Sequence, residues 1–349
     1  MTGNVLDLVR ECVQRDVGKR GLATDPRHNL FNHCPGDFAA SAASIADHPN
    51  PRVAILTGFY IPHANPPSPE TDGPLGALFL ARALSALGIP VVLLTDGFCQ
   101  PSLAIGVRAA GLMPSEDDPV AVRLMTLPMD QSAWEHFIPK GWLPFALERF
   151  RISHLIAIER PGPSHTLESL QAQAGAREVD ETHLKFLQEV PIEHQNRYHV
   201  MRGTDATKFH SPAHLLFESL DDHKDQVCTI GIGDGGNELG MGKIPWEVIT
   251  RNVTGSGKTA CRIATDYLLV AGLSNWGAYA LATSVFHLKN VAPPVDLFSP
   301  TREEELLRLM VEGGPQVDGV LAYPNVSVDG LAFPEYIAPL LYMAELLER

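Results

Sequence analysis

Short apolar runs recur along the chain at Val53–Thr57, Val91–Thr95, Val122–Leu127, His154–Ile158, Val227–Ile232, Tyr267–Val270 and Val317–Ala322. They are rich in Val, Ile and Leu without strict alternation, the pattern of strands buried on both faces. Between them apolar positions recur at helical spacing. From Pro74 to Leu87 the stripe is Leu80, Leu84 and Leu87, with Pro74 suited to the first turn and Gly88 ending it. A capping-box pattern at Thr301 and Glu304 predicts another helix, with Leu306, Leu307, Met310 and Val311 turned inward and Gly313-Gly314 as its stop. A further helix is predicted over Asp180 to Val190, inside a long irregular stretch.

Strand alternating with helix predicts an α/β fold: a three-layer, doubly wound domain with a mostly parallel sheet flanked by helices. The chain reads as one such domain over residues 1–349, with 1–50 as a helical lead-in and 160–212 as a long loop or lid insertion. In these sheets ligands sit beyond the carboxyl ends of the strands. Thr57-Gly58, Thr95-Asp96-Gly97, Glu159-Arg160-Pro161-Gly162 and Gly233-Asp234-Gly235 follow four of the runs and are expected to converge on one edge.

The stretch from Ile230 to Lys243 is the densest in information. Six glycines (Gly231, Gly233, Gly235, Gly236, Gly240, Gly242) are interleaved with Asp234, Asn237, Glu238 and Lys243. Glycines in series after a strand let backbone amides approach a small polar ligand, whereas a plain turn needs one or two.

Composition narrows the function. The 349 residues carry a formal charge of −14, from 27 basic and 41 acidic side chains, without a Lys/Arg cluster, so a nucleic-acid partner would be repelled. No run of 18 apolar residues and no signal-peptide core is present, which predicts a cytoplasmic chain that does not enter a membrane. The five cysteines, Cys12, Cys34, Cys99, Cys228 and Cys261, are far apart and lack Cys-x-x-Cys spacing, so reduced thiols are expected.

Two apparent motifs fail on inspection. Gly255-Ser256-Gly257-Lys258-Thr259 suggests a phosphate-binding loop, yet the glycine needed five residues before Gly257 is Asn252, and no strand-to-helix context surrounds it. The 14 histidines include no His-Glu-x-x-His, and Pro212 separates His210 from His214, so zinc is not expected. Any metal would be a hard ion, Mg²⁺ or Mn²⁺, held by oxygens of Asp72, Asp96, Glu159, Asp234 or Glu238. Ser274-Asn275-Trp276-Gly277 precedes an apolar helix; Ser274 or Asn275 suits its N-cap, and the helix start could present amides to a carboxylate.

Taken together, Ile55–Phe59, Glu70-Thr71-Asp72-Gly73-Pro74-Leu75-Gly76-Ala77, Ile158-Glu159-Arg160, Gly231 to Lys243 and Ala271 to Gly277 resemble the C-terminal domain of the D-glutamate cyclase family and its stand-alone relatives. Val328-Asp329-Gly330-Leu331 adds a further match, so the likeness covers most of the chain. Full-length cyclases also carry an N-terminal domain of hydro-lyase type, for which nothing before Arg52 is long enough. The chain is thus expected to act alone, as a homo-oligomer, or with a separate hydro-lyase-type domain.

The resemblance implies dehydration of D-glutamate, or a related small acidic amino acid, to 5-oxo-D-proline. That chemistry needs no cofactor, although Mg²⁺ or Mn²⁺ could neutralise the carboxylate under attack. It does need acids with separated pKa values, for which Asp234, Glu238, Asp72 and Glu159 are the candidates. Asp234 or Glu238 is expected to accept the amine proton, and the amides from Gly233 through Asp234 and Gly235 to Gly236 to meet the developing oxyanion. Arg160, Arg202 or Lys243 is expected on the substrate carboxylates, with Asn237, Asp96, Ser274 and Asn275 as further contacts. Two other classes stay open: a carboxylate-binding regulatory module without catalysis, and a metal-dependent phosphoryl or nucleotide enzyme.

Overall fold

A computed structural model of the chain describes residues 4–113, 122–175 and 181–348. Six strands form a fully parallel sheet: β1 (Val53–Thr57), β2 (Val91–Asp96), β3 (Arg123–Leu127), β4 (His154–Ile158), β5 (Cys228–Gly233) and β6 (Tyr267–Val270). Their order across the sheet is β3-β2-β1-β4-β5-β6. Val53 of β1 pairs with Val91 on one side and His154 on the other, so β1 and β4 flank the point where the order reverses. Parallel strands need crossovers, and the helices that make them cover both faces.

Alternation along each strand separates two cores. Val53, Ile55, Val91, Leu93, Ile156, Ile158, Ile230 and Ile232 face the helices Val5–Val13, Pro74–Ala86, Ser274–Lys289, Pro300–Gly313 and Ala338–Leu347. Ala54, Leu56, Val92, Leu94, Leu155 and Ala157 face the opposite layer, where Trp134, Trp142, Phe186 and Trp246 are buried. β1, β2 and β4 are buried at every position, as their unbroken apolar runs require, whereas β3 is a half-exposed edge. Among the described residues no helix is long and apolar enough to cross a membrane.

Three local expectations need correction. Val317–Ala322 is not a strand: Val317 makes a single bridge to Glu70, and the Asp318 carboxylate then collects the amides of Val320, Leu321 and Gly330 into a turn. The helix expected at Thr301 begins at Pro300, capped by the Ser299 side chain on the Arg302 amide, so the cap lies two residues earlier and is a simple N-cap in place of the expected capping box. The helix after β6 starts at Ser274, yet neither Ser274 nor Asn275 is its cap. Within the long 160–212 segment, the expected second helix spans Glu181–Glu189, and Asp180 lies outside the described residues.

Candidate functional site

Beyond the carboxyl ends of β1, β4 and β5 the chain gathers six buried acids around one guanidinium. Glu70, Asp72, Glu159, Asp234, Glu238 and Asp329 are each at most 7% exposed. Arg20 donates to Asp234 Oδ2 at 2.6 Å and to Asp329. Arg20 is delivered by a tight turn in which the Asp16 carboxylate accepts the amides of Arg20, Gly21 and Leu22.

Asp72 does what no residue of the Ser274 helix does for itself. Its carboxyl group accepts the Ser274 and Asn275 amides at 2.9 Å each, which satisfies donors that a helix start leaves open. Asn275 reciprocates, its Oδ1 accepting the amides of Gly73 and Gly76 at the start of Pro74–Ala86. Gly73 has φ +92°, and a Cβ there would lie 2.6 Å from the Glu159 Cβ, so only glycine lets this turn approach the site. Glu159 itself has φ +43° and Asp329 φ +52°. Left-handed backbone costs a non-glycine residue on the order of 1–3 kcal/mol, and here it turns two acids toward the same space. The Ser274 hydroxyl donates to Glu159 Oε2 at 2.5 Å.

The glycine-rich segment folds back on its own strand. A Cβ at Gly231 would lie 2.6 Å from the Leu239 carbonyl and 2.7 Å from Gly240 Cα, so these two glycines serve chain packing. The amides of Asp234 and Gly236, expected to hold an oxyanion, donate instead to Glu238 Oε1 and Oε2 at 3.1 and 2.8 Å. The nest of amides is real, and its anion is the protein's own Glu238.

So many acids in one dry region cannot all be ionised. Burial first, and neighbouring acids second, push Glu70, Asp72 and Glu159 well above the ordinary carboxyl range. Burial likewise lifts Asp234 to about 7 against the pull of Arg20, and Asp329 to about 6. Burial alone would discharge Arg20, yet Asp234 and Asp329 hold it protonated. Protons are therefore shared within this group near neutrality, which is the equipment of acid–base chemistry.

A cavity of about 100 Å³ opens onto the cluster. Arg20, Glu70, Glu159, Asp234, Asn237 and Asp329 form its floor, and Phe59, Ile61, His63, Met201 and Arg202 its wall. The volume is well below the roughly 300 Å³ at which drug-sized pockets begin, so the occupant is small. A far larger cavity, about 1000 Å³, lies between Tyr198, His214, Glu218 and Arg262. Four of its polar groups are paired, Arg262 with Glu218 at 2.6 Å and Tyr198 with His214 at 2.5 Å, and no member of the acid cluster lines it.

The residues singled out from sequence divide accordingly. Asp72, Glu159, Asp234, Glu238, Gly233, Gly235, Gly236, Asn237, Ser274 and Asn275 come together, and exposed Arg202 stands at the cavity wall without an ion pair among the described residues. Arg160 and Asp96 face elsewhere. They form a fully buried pair at 2.6 Å, and Arg160 also donates to the Gly58 carbonyl and to Ser211. Lys243 reaches Asp37 at 2.6 Å and the Asp266 carbonyl, outside the cavity. Arg20, Glu70 and Asp329 were not singled out. Glu70 and Asp329 do lie in segments that carry the family resemblance, whereas Arg20 offered only its place before a glycine in a charged turn.

The family model described as "D-glutamate cyclase-like, C-terminal" matches residues 9–184 and 176–341, ranges that contain every member of the cluster. The chain belongs to this family. It is 27% identical over 338 residues to the human protein named "D-glutamate cyclase, mitochondrial", a match covering 89% of this chain and 48% of the human one. The chain thus spans about half the length of that relative. Two groups of acids in the cluster have the spacing to hold a metal: Asp72, Asp234 and Asp329, and Glu159, Asp234 and Glu238, with ligand oxygens within 4.8 Å of one another in each.

Proposed function

We propose that the chain is a lyase of the cyclase type that closes D-glutamate, or a close acidic analogue, to 5-oxo-D-proline and water. The observation that carries this reading is the small cavity walled by proton-sharing acids, with Arg202 at its side and without an ion pair among the described residues. In the reaction the α-nitrogen bonds to the side-chain carboxyl carbon and one C–O bond breaks. The two protons lost from the ammonium leave with that oxygen as water.

Two demands follow. The ammonium must be deprotonated to attack, and the carboxylate must be neutralised to accept attack. Asp234, poised near neutrality at the centre of the cluster, accepts the amine proton; a neighbour that burial keeps protonated, Glu159 or Asp72, donates to the departing oxygen. Arg202 receives the carboxylate that does not react. The roughly 100 Å³ volume favours the compact, folded-back conformer that closes a five-membered ring. Five free thiols fit a reducing compartment, the cytoplasm in our reading; the relative's name places that protein in mitochondria.

Phosphate or nucleotide chemistry is less well supported, because the loop amides are taken by Glu238 and the surrounding carboxylates repel an anion. Asp234→Asn tests the proposal: D-glutamate-dependent formation of 5-oxoproline should fall at least about a hundredfold, as for loss of a general base, with an unchanged circular dichroism spectrum. Near-normal turnover in that variant removes Asp234 from the mechanism. Stabilisation of the wild type by D-glutamate without any turnover assigns a carboxylate-binding role instead.

A further inference from the structure

Asn237 is 1% exposed and lines the acid cavity, yet its Oδ1 accepts no hydrogen bond among the described residues. A buried amide oxygen without a donor is rare in a folded chain and calls for a reason. Its orientation is fixed, because Nδ2 donates to the His199 carbonyl at 2.8 Å and leaves the oxygen on the side of Gly235. A Cβ at Gly235 would stand 2.8 Å from Oδ1 and 2.6 Å from Met201 Sδ. Unlike its neighbour Gly236, at φ +100°, Gly235 is not in the left-handed region, so what its missing side chain preserves is space beside this oxygen. Met201, unbranched and flexible, can yield that space to a ligand.

We infer that Asn237 is a specificity-determining residue: its Oδ1 accepts an N–H of the substrate's α-nitrogen and thereby helps to set which enantiomer is accepted. The inference rests on the reading of this cavity as the site of an acidic amino acid. Near neutral pH glutamate carries two carboxylates, which only accept hydrogen bonds, so its nitrogen is the donor it can offer to Oδ1. A neutral amide takes up no proton and keeps its hold on the nitrogen both before and after deprotonation. Ring closure uses that hold. The neutral amine retains two hydrogens, and anchoring one of them on Oδ1 leaves the lone pair free to turn toward the carboxyl carbon.

Handedness at the α-carbon is read by fixing three of its substituents. Arg202 receives the α-carboxylate and the buried acids receive the reacting end of the side chain, so Asn237 supplies the third point. A site built around a substrate N–H also rejects an analogue that lacks it, because the acceptor is then left unpaired.

The test compares three ligands on the 349-residue chain: D-glutamate, L-glutamate and glutarate, which has both carboxylates and no nitrogen. Rates of 5-oxoproline formation give kcat and KM, competition gives the glutarate constant, and calorimetry gives direct binding. Asn237→Ala should lower kcat/KM for D-glutamate about tenfold or more and shrink the preference for D over L, while glutarate binds within about threefold of wild type. Unchanged glutarate binding shows that the cavity has survived the loss of the His199 contact. Asn237→Asp, which keeps an oxygen in place, should still favour D-glutamate over glutarate, and this holds as a test where the alanine variant does not fold. Parallel losses for D-glutamate and glutarate, an unmoved D/L preference, or an aspartate variant that no longer favours D-glutamate overturn the inference. The two proposals fail separately. Wild type that binds D-glutamate above glutarate, loses that preference in Asn237→Ala and forms no 5-oxoproline removes the lyase reading alone; normal wild-type turnover with a D/L ratio unmoved by Asn237→Ala removes the role of Asn237 alone.

Discussion

The Asp72 carboxyl group caps a helix more than 200 positions away in the chain, accepting the amides of Ser274 and Asn275 in a region without water access. Replacing it with alanine leaves both donors unsatisfied, and a buried orphan costs about 1–3 kcal/mol. Asp72→Ala should lower unfolding free energy by that amount in urea titrations, whereas Asp72→Asn, which keeps one acceptor, should lose less. An equal loss in both variants would show that charge, not hydrogen bonding, sets the cost. Asp72, Glu159 and Asp234 were legible in the sequence because each stands directly before or after a glycine or at a strand end. Arg20 was not, since a charged turn near the start of a chain is usually solvated, and only the fold brings it to Asp234.

At the scale of elements, the buried Arg160–Asp96 pair joins the ends of β2 and β4, and the Gly58 and Ser211 contacts extend it to β1 and to the long segment before β5. Arg160 is part of the frame that holds the strand ends in register. Breaking a buried ion pair from one side typically costs about 3–5 kcal/mol, because the remaining charge is stranded, while removing both partners costs much less. Arg160→Leu should therefore destabilise by that amount in chemical denaturation, and Asp96→Leu/Arg160→Leu should recover part of it. Additive losses would mean that the backbone contacts of Arg160, rather than the pair, carry the effect. The sequence showed the six sheet strands plainly, because strands covered on both faces must be continuously apolar and the half-exposed edge β3 still carries Leu124, Met125 and Leu127. It overread Val317–Ala322, where a similar composition is bent by Asp318, and nothing in an apolar run reports the carboxylate that will fold it.

Over the whole molecule, five histidines among the described residues are held in neutral form. Burial, acting first, brings His154, His165, His199 and His210 down to about 4 and His214 to about 3, from an ordinary 6.5. The reason is visible at His210, whose Nε2 accepts the Tyr60 amide at 2.9 Å while Nδ1 lies 3.0 Å from the Ala206 carbonyl; a second ring proton would break the Tyr60 bond. The unfolded chain takes up these protons as pH falls through 6.5 and the folded chain resists until about 4, so stability is lost between those values. Each histidine can contribute up to about 1.4 kcal/mol per pH unit. The buried acids act in the opposite sense, because their raised pKa values stabilise the folded chain as pH falls, so the histidine contribution is read as a difference: the thermal midpoint of His210→Gln, which retains an acceptor for Tyr60, should rise relative to the wild type as pH drops from 6.5 to 5. The three-layer parallel architecture was legible from the alternation of runs and stripes. The strand order was not, because pairing partners leave no trace in hydropathy.

Arg20 also has a bearing on biosynthesis. Its two acidic partners lie 214 and 309 positions further along the chain. A nascent polypeptide emerging from the ribosome can therefore build most of its sheet long before the pocket has its counter-ion bridge. The cavity is among the last features to mature, and trimming either end back past Arg20 or Asp329 would strip a helix, Val5–Val13 or Ala338–Leu347, from one hydrophobic layer at the same stroke.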